Sequence, residues 1–265
     1  TGTFTGPNTI AVEGGEDITF THAIIATGSR PLRPPVEGID GPACVDSTGL
    51  LAVDQIPARL IVLGGGVIGV EFASIFNHLG SEVTIVEMLD QILPGTDPDL
   101  VRPVARRMKK IGIEVLLKAK AKGFEKKGKV AEVLVEHEGK ERRISAEKIL
   151  VAVGFRPNTG ELNLEAAGVK TSDKGWIQVD QFCRTNVKHI YAIGDVTGPP
   201  LLAHRASKMG EVAAEVIAGH ASAFDVRAMP LGAFTDPEVA QVGVTEAEAK
   251  AAGHEVAVGS FPMAA

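Results

Sequence analysis

The sequence predicts an α/β protein built on parallel sheets, with one unit occurring twice and an α+β segment opening near its end. Three observations predict it. Short apolar runs, Leu60-Ile61-Val62-Leu63, Val83-Thr84-Ile85-Val86 and Ile149 to Val153, are strands of the kind buried on both faces of a parallel sheet. Between the first two, Gly64-Gly65-Gly66 leads into a helical stretch from Val67 to Leu79, closed by Gly80, which makes a βαβ unit. Finally, Ile24-Ile25-Ala26-Thr27-Gly28-Ser29-Arg30-Pro31 is echoed by Leu150-Val151-Ala152-Val153-Gly154-Phe155-Arg156-Pro157. Each copy is an apolar strand ending in a small residue and Gly, then x-Arg-Pro. A duplicated nucleotide-binding unit explains the echo, because each copy needs a strand end where backbone can approach a ligand.

The other elements follow along the chain. Thr9 to Val12 and Ile18 to Phe20 flank the turn-rich Glu13-Gly14-Gly15-Glu16-Asp17 and read as a hairpin. His22 to Gly28 is an apolar strand, and the prolines at 31, 34 and 35 make Pro31 to Gly41 a linker. After the βαβ unit come a second helix near Asp97 to Ile111 and a strand from Ile113 to Leu117. A meander, Val130 to Val135 and then Arg143-Ile144, leads to the Ile149 strand. Tyr191-Ala192-Ile193-Gly194-Asp195 is a buried strand ending in Gly-Asp, followed by a Gly-Pro-Pro loop and a helix from about Ala203 to Ala218. A new strand and helix begin at Met229. With no initiator Met and no natural ending, the sequence is expected to be the middle of a longer polypeptide.

Length and composition narrow the function classes. The 265 residues fit roughly two domains, and 45% hydrophobic with 23% charged residues suits a soluble globular chain. The longest uncharged apolar run, Leu60 to Val70, falls short of the ~20 residues a membrane span needs, and no signal peptide opens the chain. A net charge of -6 argues against nucleic acid as main partner. Lys118, Lys120, Lys122, Lys126, Lys127 and Lys129 cluster, and the simplest account is a solvated hairpin with Gly123 and Gly128 at its turns rather than a phosphate patch. Cys44 and Cys183 form no CxxC or related pair, which fits a reducing compartment and makes the cytoplasm the simplest expected address. The seven His are scattered, and no metal site is expected.

Chemistry gathers at two places. Gly64-Gly65-Gly66-Val67-Ile68-Gly69 fits G-x-G-x-x-G behind a buried strand and before a helix, with Glu87 at the end of the next strand. Gly64 allows the tight turn, Gly66 lets backbone approach a pyrophosphate, and Gly69 lets helix pack on strand, a Rossmann-like arrangement. The helix N-terminus offers free N–H groups to phosphate, and Glu87 accepts from the ribose hydroxyls. From Met88 through Val101 there is no Arg or Lys, so a 2′-phosphate finds no partner and NAD is read over NADP. Glu71, read as first-turn, has two readings: it complements the helix dipole, or it lies near the nicotinamide. The second place is Gly194-Asp195, an Asp at the carboxyl end of a buried strand. It is either a loop or N-cap residue or a binder of ligand hydroxyls, and the duplication and the following Leu202-Ala203-His204 favour the ligand. A lone His at a helix start, as at His204, is more often a capping or surface residue.

Taken in series, these motifs resemble the flavin-dependent pyridine nucleotide–disulfide oxidoreductases. The matching residues are Thr5 to Thr9, Ala26 to Pro31, Gly64 to Glu71, Val153 to Thr159, Arg184-Thr185-Asn186, Tyr191 to Val196, Leu202 to Ala206 and Thr235 to Gly243. The stretch Leu202-Ala203-His204-Arg205-Ala206 favours the dihydrolipoamide dehydrogenase branch over glutathione or mercuric reductases. The resemblance implies Rossmann-like, three-layer FAD- and NAD(P)-binding domains and an α+β dimerisation domain. It divides the chain into 1–52 (part of the FAD domain), 53–155 (NAD domain), 156–227 (returning FAD segment) and 228–265 (start of the interface domain). It implies that Gly2, Thr27, Gly28, Ser29, Asp195, Leu202, Ala203 and His204 contact FAD. It likewise implies that Gly64, Gly65, Gly66, Val67, Ile68, Gly69, Glu71, Glu87, Ala121 and Gly154 hold NAD. The resemblance further implies that the full-length protein is a homodimer, and its dihydrolipoamide dehydrogenase branch implies the lipoyl-bearing component of a 2-oxo acid dehydrogenase complex as partner.

The departures count equally. The family's amino-terminal FAD phosphate loop, its Cys-x-x-x-x-Cys pair and its carboxy-terminal His–Glu pair have no counterpart here, so no catalytic residue is assigned. The expectation is a piece of an NAD-linked dihydrolipoamide dehydrogenase that is inactive alone. Two readings stand beside it: another flavin disulfide reductase, or an NAD-binding module without catalysis.

Overall fold

The computed structural model describes residues 1–127 and 130–261. The chain opens with three antiparallel strands, β1 (Gly2–Gly6), β2 (Thr9–Val12) and β3 (Ile18–Thr19), then β4 (Ala23–Ile25) and β5 (Ser29–Pro31). A two-residue strand β6 (Cys44–Val45) and short helix α1 (Ser47–Leu51) precede the βαβ unit. That unit is β7 (Arg59–Leu63), α2 (Val67–His78) and β8 (Glu82–Val86), continued by α3 (Pro98–Lys110) and β9 (Glu114–Leu116). The meander is β10 (Lys120–Lys127), β11 (Val130–His137) and β12 (Lys140–Ala146), followed by β13 (Lys148–Val151) and β14 (Phe155–Pro157). Then come β15 (Ile190–Ala192), a 3₁₀ turn at Gly194–Thr197, α4 (Ala203–Ile217), β16 (Leu231–Ala233), β17 (Val239–Gln241) and α5 (Glu246–Ala251).

These elements form two compact units. The second unit, Pro31–Gly154 with the chain from Pro230 onward, holds a five-stranded parallel sheet in the order β6-β13-β7-β8-β9. Alternation along each strand splits its apolar residues between two faces. Leu60, Val62, Val83, Ile85 and Leu150 face Val70, Ala73 and Phe76 of α2 and Val101, Val104 and Met108 of α3. Ile61, Leu63, Ile149 and Val151 face Phe124, Val133, Val135 and Ala146 of the meander. The result is three layers, helices over parallel sheet over meander. The parallel sheet is buried on both faces, which is why its strands carry no polar alternation.

The first unit, Thr1–Arg30 with Phe155–Met229, is built around the parallel pair β4–β15, in register from Ile190 on Ala23 to Ala192 on Ile25. Phe4, Ile25, Ile177, Ile190 and Ala192 form one core, and α4 packs Met209, Val212 and Ala213 against Tyr191 in another. The two x-Arg-Pro echoes also meet, as β5 and β14 form a two-stranded sheet.

Several sequence expectations are corrected. Residues 31–52 join the second unit rather than the first, because Cys44 and Val45 pair with Ile149 and Leu150 of β13 and Leu50 of α1 is fully buried in its core. The segment from Pro230, expected as the start of the interface domain, packs on this unit through Ala233 and Val239, which leaves that expectation standing. Gly123 is not a turn: it lies within β10 at a register shift between Ala121 and Gly123. Gly128 and Lys129 fall outside the described residues. Among the described residues no helix is long and apolar enough to cross a membrane.

Candidate functional site

In the second unit, the loop after β7 shows why three of its glycines have no side chain. Gly64 takes φ 101°, and a Cβ there stands 2.4 Å from the Ala152 carbonyl oxygen of the neighbouring strand. At Gly69 a Cβ stands 2.0 Å from the Gly64 oxygen, so helix α2 lies directly against the turn it leaves. A Cβ at Gly65 crowds Ile92 at 3.0 Å and the Glu87 carboxylate at 3.2 Å. Gly66 differs: it sits in extended backbone as the N-cap of α2, and among the described residues no atom beyond its chain neighbours and the helix backbone lies within 4 Å of where its Cβ belongs. The space outside Gly66 is therefore open, and it borders an uncapped helix end. The N–H groups of Val67, Ile68 and Gly69 have no intrahelical acceptor there, and together with the helix dipole they suit an anion.

Glu87 closes the same corner. Glu87 is only 7% exposed, and each of its carboxylate oxygens is held by backbone: Gly65 N–H donates to Oε2 at 2.5 Å and Leu89 N–H to Oε1 at 2.8 Å. Each oxygen keeps a further lone pair for a ligand hydroxyl. The first task of Glu87, pinning the glycine loop to the end of β8, is one that spacing alone does not reveal. Beside it Met88 and Leu89 are large apolar side chains left exposed, an apolar shelf that the motif analysis missed. The signal was there, two consecutive apolar residues beyond the end of the strand.

The other positions read for NAD fall in different surroundings. Gly154 has φ 118° with open space at its Cβ position, and its carbonyl accepts from Leu32 N–H at 2.9 Å. Ala121 packs against the core between sheet and meander, although its strand starts beside the site, with Lys118 N–H donating to the Leu89 carbonyl. Glu71 is the fifth residue of α2, past its first turn, and no acidic residue occupies that turn. Its Oε1 accepts from Phe234 N–H at 2.7 Å, so neither the helix end nor open solvent is its main partner.

The second site lies in the first unit, where β4 and β15 end side by side. Thr27 and Gly28 leave β4, Gly28 with φ 70° and open space at its Cβ position. Asn158 braces this turn: its N–H donates to the Gly28 carbonyl at 3.0 Å and its Nδ2 to the Thr27 carbonyl at 3.0 Å, while Thr27 Oγ1 donates back to its carbonyl at 2.8 Å. Opposite, Asp195 follows Gly194, which takes φ 71°. Asp195 does not cap a helix. Its Oδ2 accepts from Ser29 Oγ at 2.9 Å, and the carboxylate borders a cavity of about 340 Å³ with Gly28, Ile193, Leu201, Ala203 and Ala206. Leu202 is the N-cap of α4, and His204 is exposed on its first turn. Gly2 lines a larger cavity of about 690 Å³ in the same unit, shared with Ile24, Thr27 and Asn158. Asn158, part of a motif quoted for its resemblance, was not read as a site residue.

Both cysteines are buried, each within its own unit. Burial pushes the Cys44 thiol up to about 11 and the Cys183 thiol likewise to about 11, the latter helped by the nearby Asp180 charge. Among the described residues no cluster of three His, Cys, Asp or Glu side chains is placed to hold a metal.

A family model described as pyridine nucleotide-disulphide oxidoreductase matches residues 1–210, and the model of its dimerisation domain matches residues 229–265. The chain belongs to the pyridine nucleotide-disulphide oxidoreductase family. Enzymes of this family are flavoprotein oxidoreductases that use FAD and a pyridine nucleotide. Among relatives, a dihydrolipoyl dehydrogenase of Vibrio cholerae is 44% identical over 270 residues, covering 100% of this chain and 56% of that protein. One from Geobacillus stearothermophilus is 45% identical, covering 99% of this chain and 56% of its own length. Of solved structures, the HOCl-induced flavoprotein disulfide reductase RclA from Escherichia coli matches with a TM-score of 0.91 and 31% identity, over 100% of this chain and 60% of that one. The chain spans little more than half the length of these relatives.

Proposed function

We propose that this chain supplies the NAD-binding domain and part of the FAD-binding domain of a dihydrolipoamide dehydrogenase. The observation that carries the reading is the glycine loop with Glu87 fastened to it at 2.5 Å, beside open space at Gly66. NAD fits this corner. The α2 N–H groups take the pyrophosphate, Glu87 takes the ribose hydroxyls, and the Met88–Leu89 shelf suits a flat adenine. A 2′-phosphate meets the Glu87 charge and no basic side chain through Val101.

The first-unit site fits a flavin. Asp195 offers a carboxylate to the ribityl hydroxyls, and Gly28 and Gly194 turn the chain so that backbone faces the ligand. When bound, FAD supplies two-electron transfer between a dithiol–disulfide couple and the nicotinamide. The residues here bind and orient: Ser29 holds Asp195, Asn158 holds the Thr27–Gly28 turn, and the loop at 64–69 presents its N–H groups. Neither buried cysteine is the redox pair. The whole protein acts as a homodimer, which the exposed Phe234, Val242, Val244 and Phe261 support. Its electron donor is the lipoyl group of a 2-oxo acid dehydrogenase complex, and its free thiols fit the cytoplasm.

Fluorescence titration of this chain with NADH and NADPH tests the reading. NADH is expected to bind at least tenfold tighter, and equal or tighter NADPH binding refutes it. The fold match to a different disulfide reductase favours one alternative, and turnover of the full-length gene product with dihydrolipoamide against other dithiols separates the two.

A further inference from the structure

We propose that Arg205 is a positioning residue for Asp195, clamping the turn that presents its carboxylate to the cavity. The proposal rests on the flavin reading of that cavity. Arg205 is the third residue of α4, where the positive end of the helix dipole disfavours a cation. It is also half-buried, and burial lowers its pKa while the Asp195 charge opposes the shift. A desolvated cation in that position must be held by strong acceptors, and among the described residues its hydrogen bonds all go to one loop. The guanidinium donates to Thr197 Oγ1 at 3.1 Å, to the Gly198 carbonyl at 2.9 Å and to the Pro200 carbonyl at 3.4 Å.

Those acceptors are tied to Asp195 on both sides. Thr197 Oγ1 donates to the Gly194 carbonyl at 2.7 Å, so one path runs from the guanidinium through Thr197 to the residue before Asp195. Gly198 N–H donates to the Asp195 carbonyl at 3.0 Å, so a second path runs to Asp195 itself. From the other direction Ser29 holds the carboxylate. Arg205 does not line the cavity, and its effect reaches a ligand only through the turn. A planar fork meets three acceptors spread along four residues, and a lysine ammonium, a point charge on a flexible stem, meets them incompletely.

The test is FAD reconstitution of the full-length apo-protein, followed by flavin fluorescence, for Arg205→Met, Arg205→Lys, Asp195→Asn and the Arg205→Met/Asp195→Asn double variant. Arg205→Met is expected to weaken FAD about tenfold, the scale of one charge-assisted hydrogen bond. Arg205→Lys should fall between it and the unmodified protein. Because Arg205 acts through Asp195, the double variant should bind no more weakly than Asp195→Asn alone. Normal FAD affinity in Arg205→Met beside weakened affinity in Asp195→Asn overturns the clamp, and so do additive losses in the double variant. Normal affinity in Asp195→Asn instead overturns the flavin reading and the clamp with it. If Arg205→Met does not fold, Arg205→Lys in the two Asp195 backgrounds makes the same comparison: a loss confined to the Asp195 background supports the clamp, and a loss in both overturns it.

Discussion

At the scale of single residues, Gly66 and Gly69 divide binding from folding. A methyl at Gly69 meets the Gly64 carbonyl oxygen at 2.0 Å, so α2 must shift off its turn, with a cost of about 1–3 kcal/mol or more. Gly69→Ala is therefore expected to lower the thermal midpoint and NADH affinity together. At Gly66 a methyl meets no atom of the described residues within 4 Å beyond its chain neighbours and the helix backbone, and φ is -70°, which any residue adopts. Gly66→Ala should melt within a few degrees of the unmodified chain yet bind NADH at least tenfold more weakly, because the methyl fills space the pyrophosphate needs. Normal binding in Gly66→Ala would show that the ligand does not pass there. The buried thiols make a second residue-level prediction. In the unfolded chain they ionise near 9.0, whereas burial keeps Cys44 and Cys183 protonated to about 11. The unfolded state thus sheds protons first, and stability falls as pH rises from 9 toward 11, with no contribution below 9. Denaturant titrations at pH 8 and 10 on the unmodified chain and on Cys183→Ala should show a smaller loss in the variant. Equal losses would mean that the thiol does not titrate differently on folding.

At the scale of elements, the meander separates two explanations of the lysine cluster. Its inner face buries Val133 and Val135 completely, while its outer face carries cross-strand pairs such as Lys122–Glu136 at 2.5 Å and Arg143–Glu125 at 3.1 Å. Exposed pairs of this kind contribute about 0–1 kcal/mol. Replacing Lys120 and Lys122 with Gln should change stability by less than that and NADH affinity by less than twofold, whereas a tenfold loss of NADH binding would make the cluster a phosphate patch. What was legible in the sequence follows the same division. β7, β8 and α2 announce themselves because a strand buried on both faces must be continuously apolar and the helix after it must start at glycine. β6 is two residues long and owes its existence to β13, so no local pattern marks it, and the boundary after residue 52 misses how far the second unit reaches. The turns at Gly28, Gly64 and Gly194 and the close approach at Gly69 are legible in the sequence because glycine there answers to local conformation. The contacts of Glu71, Asn158 and Arg205 with Phe234, the Thr27–Gly28 turn and the Thr197–Pro200 loop are not legible in the sequence, because tertiary packing sets them.

At the scale of the whole molecule, the chain separates cofactor binding from turnover. Oxidising a dithiol requires a reactive thiolate and a second sulfur within disulfide reach, Cα atoms usually within about 7 Å. Both cysteines here are buried, and thiols held at about 11 are roughly one part in ten thousand thiolate at pH 7. The second unit, in contrast, carries a five-stranded parallel sheet, the glycine loop and Glu87, the parts that the proposed nucleotide site uses. The first unit brings Asp195 and the Thr27–Gly28 turn to its cavity, but a G-x-G-x-x-G phosphate loop ahead of β4 is not among its residues. The 265-residue chain is therefore expected to bind NADH and to show no lipoamide-dependent NADH oxidation, with or without added FAD. A thiol reagent should label neither cysteine in native chain at pH 7 and both in denaturant. The two measurements check each other: no native labelling with no turnover is the expected pair. Turnover matching the dihydrolipoyl dehydrogenases from this chain alone, or rapid native labelling, would mean that one of the buried thiols reaches the surface and that redox chemistry resides within these residues.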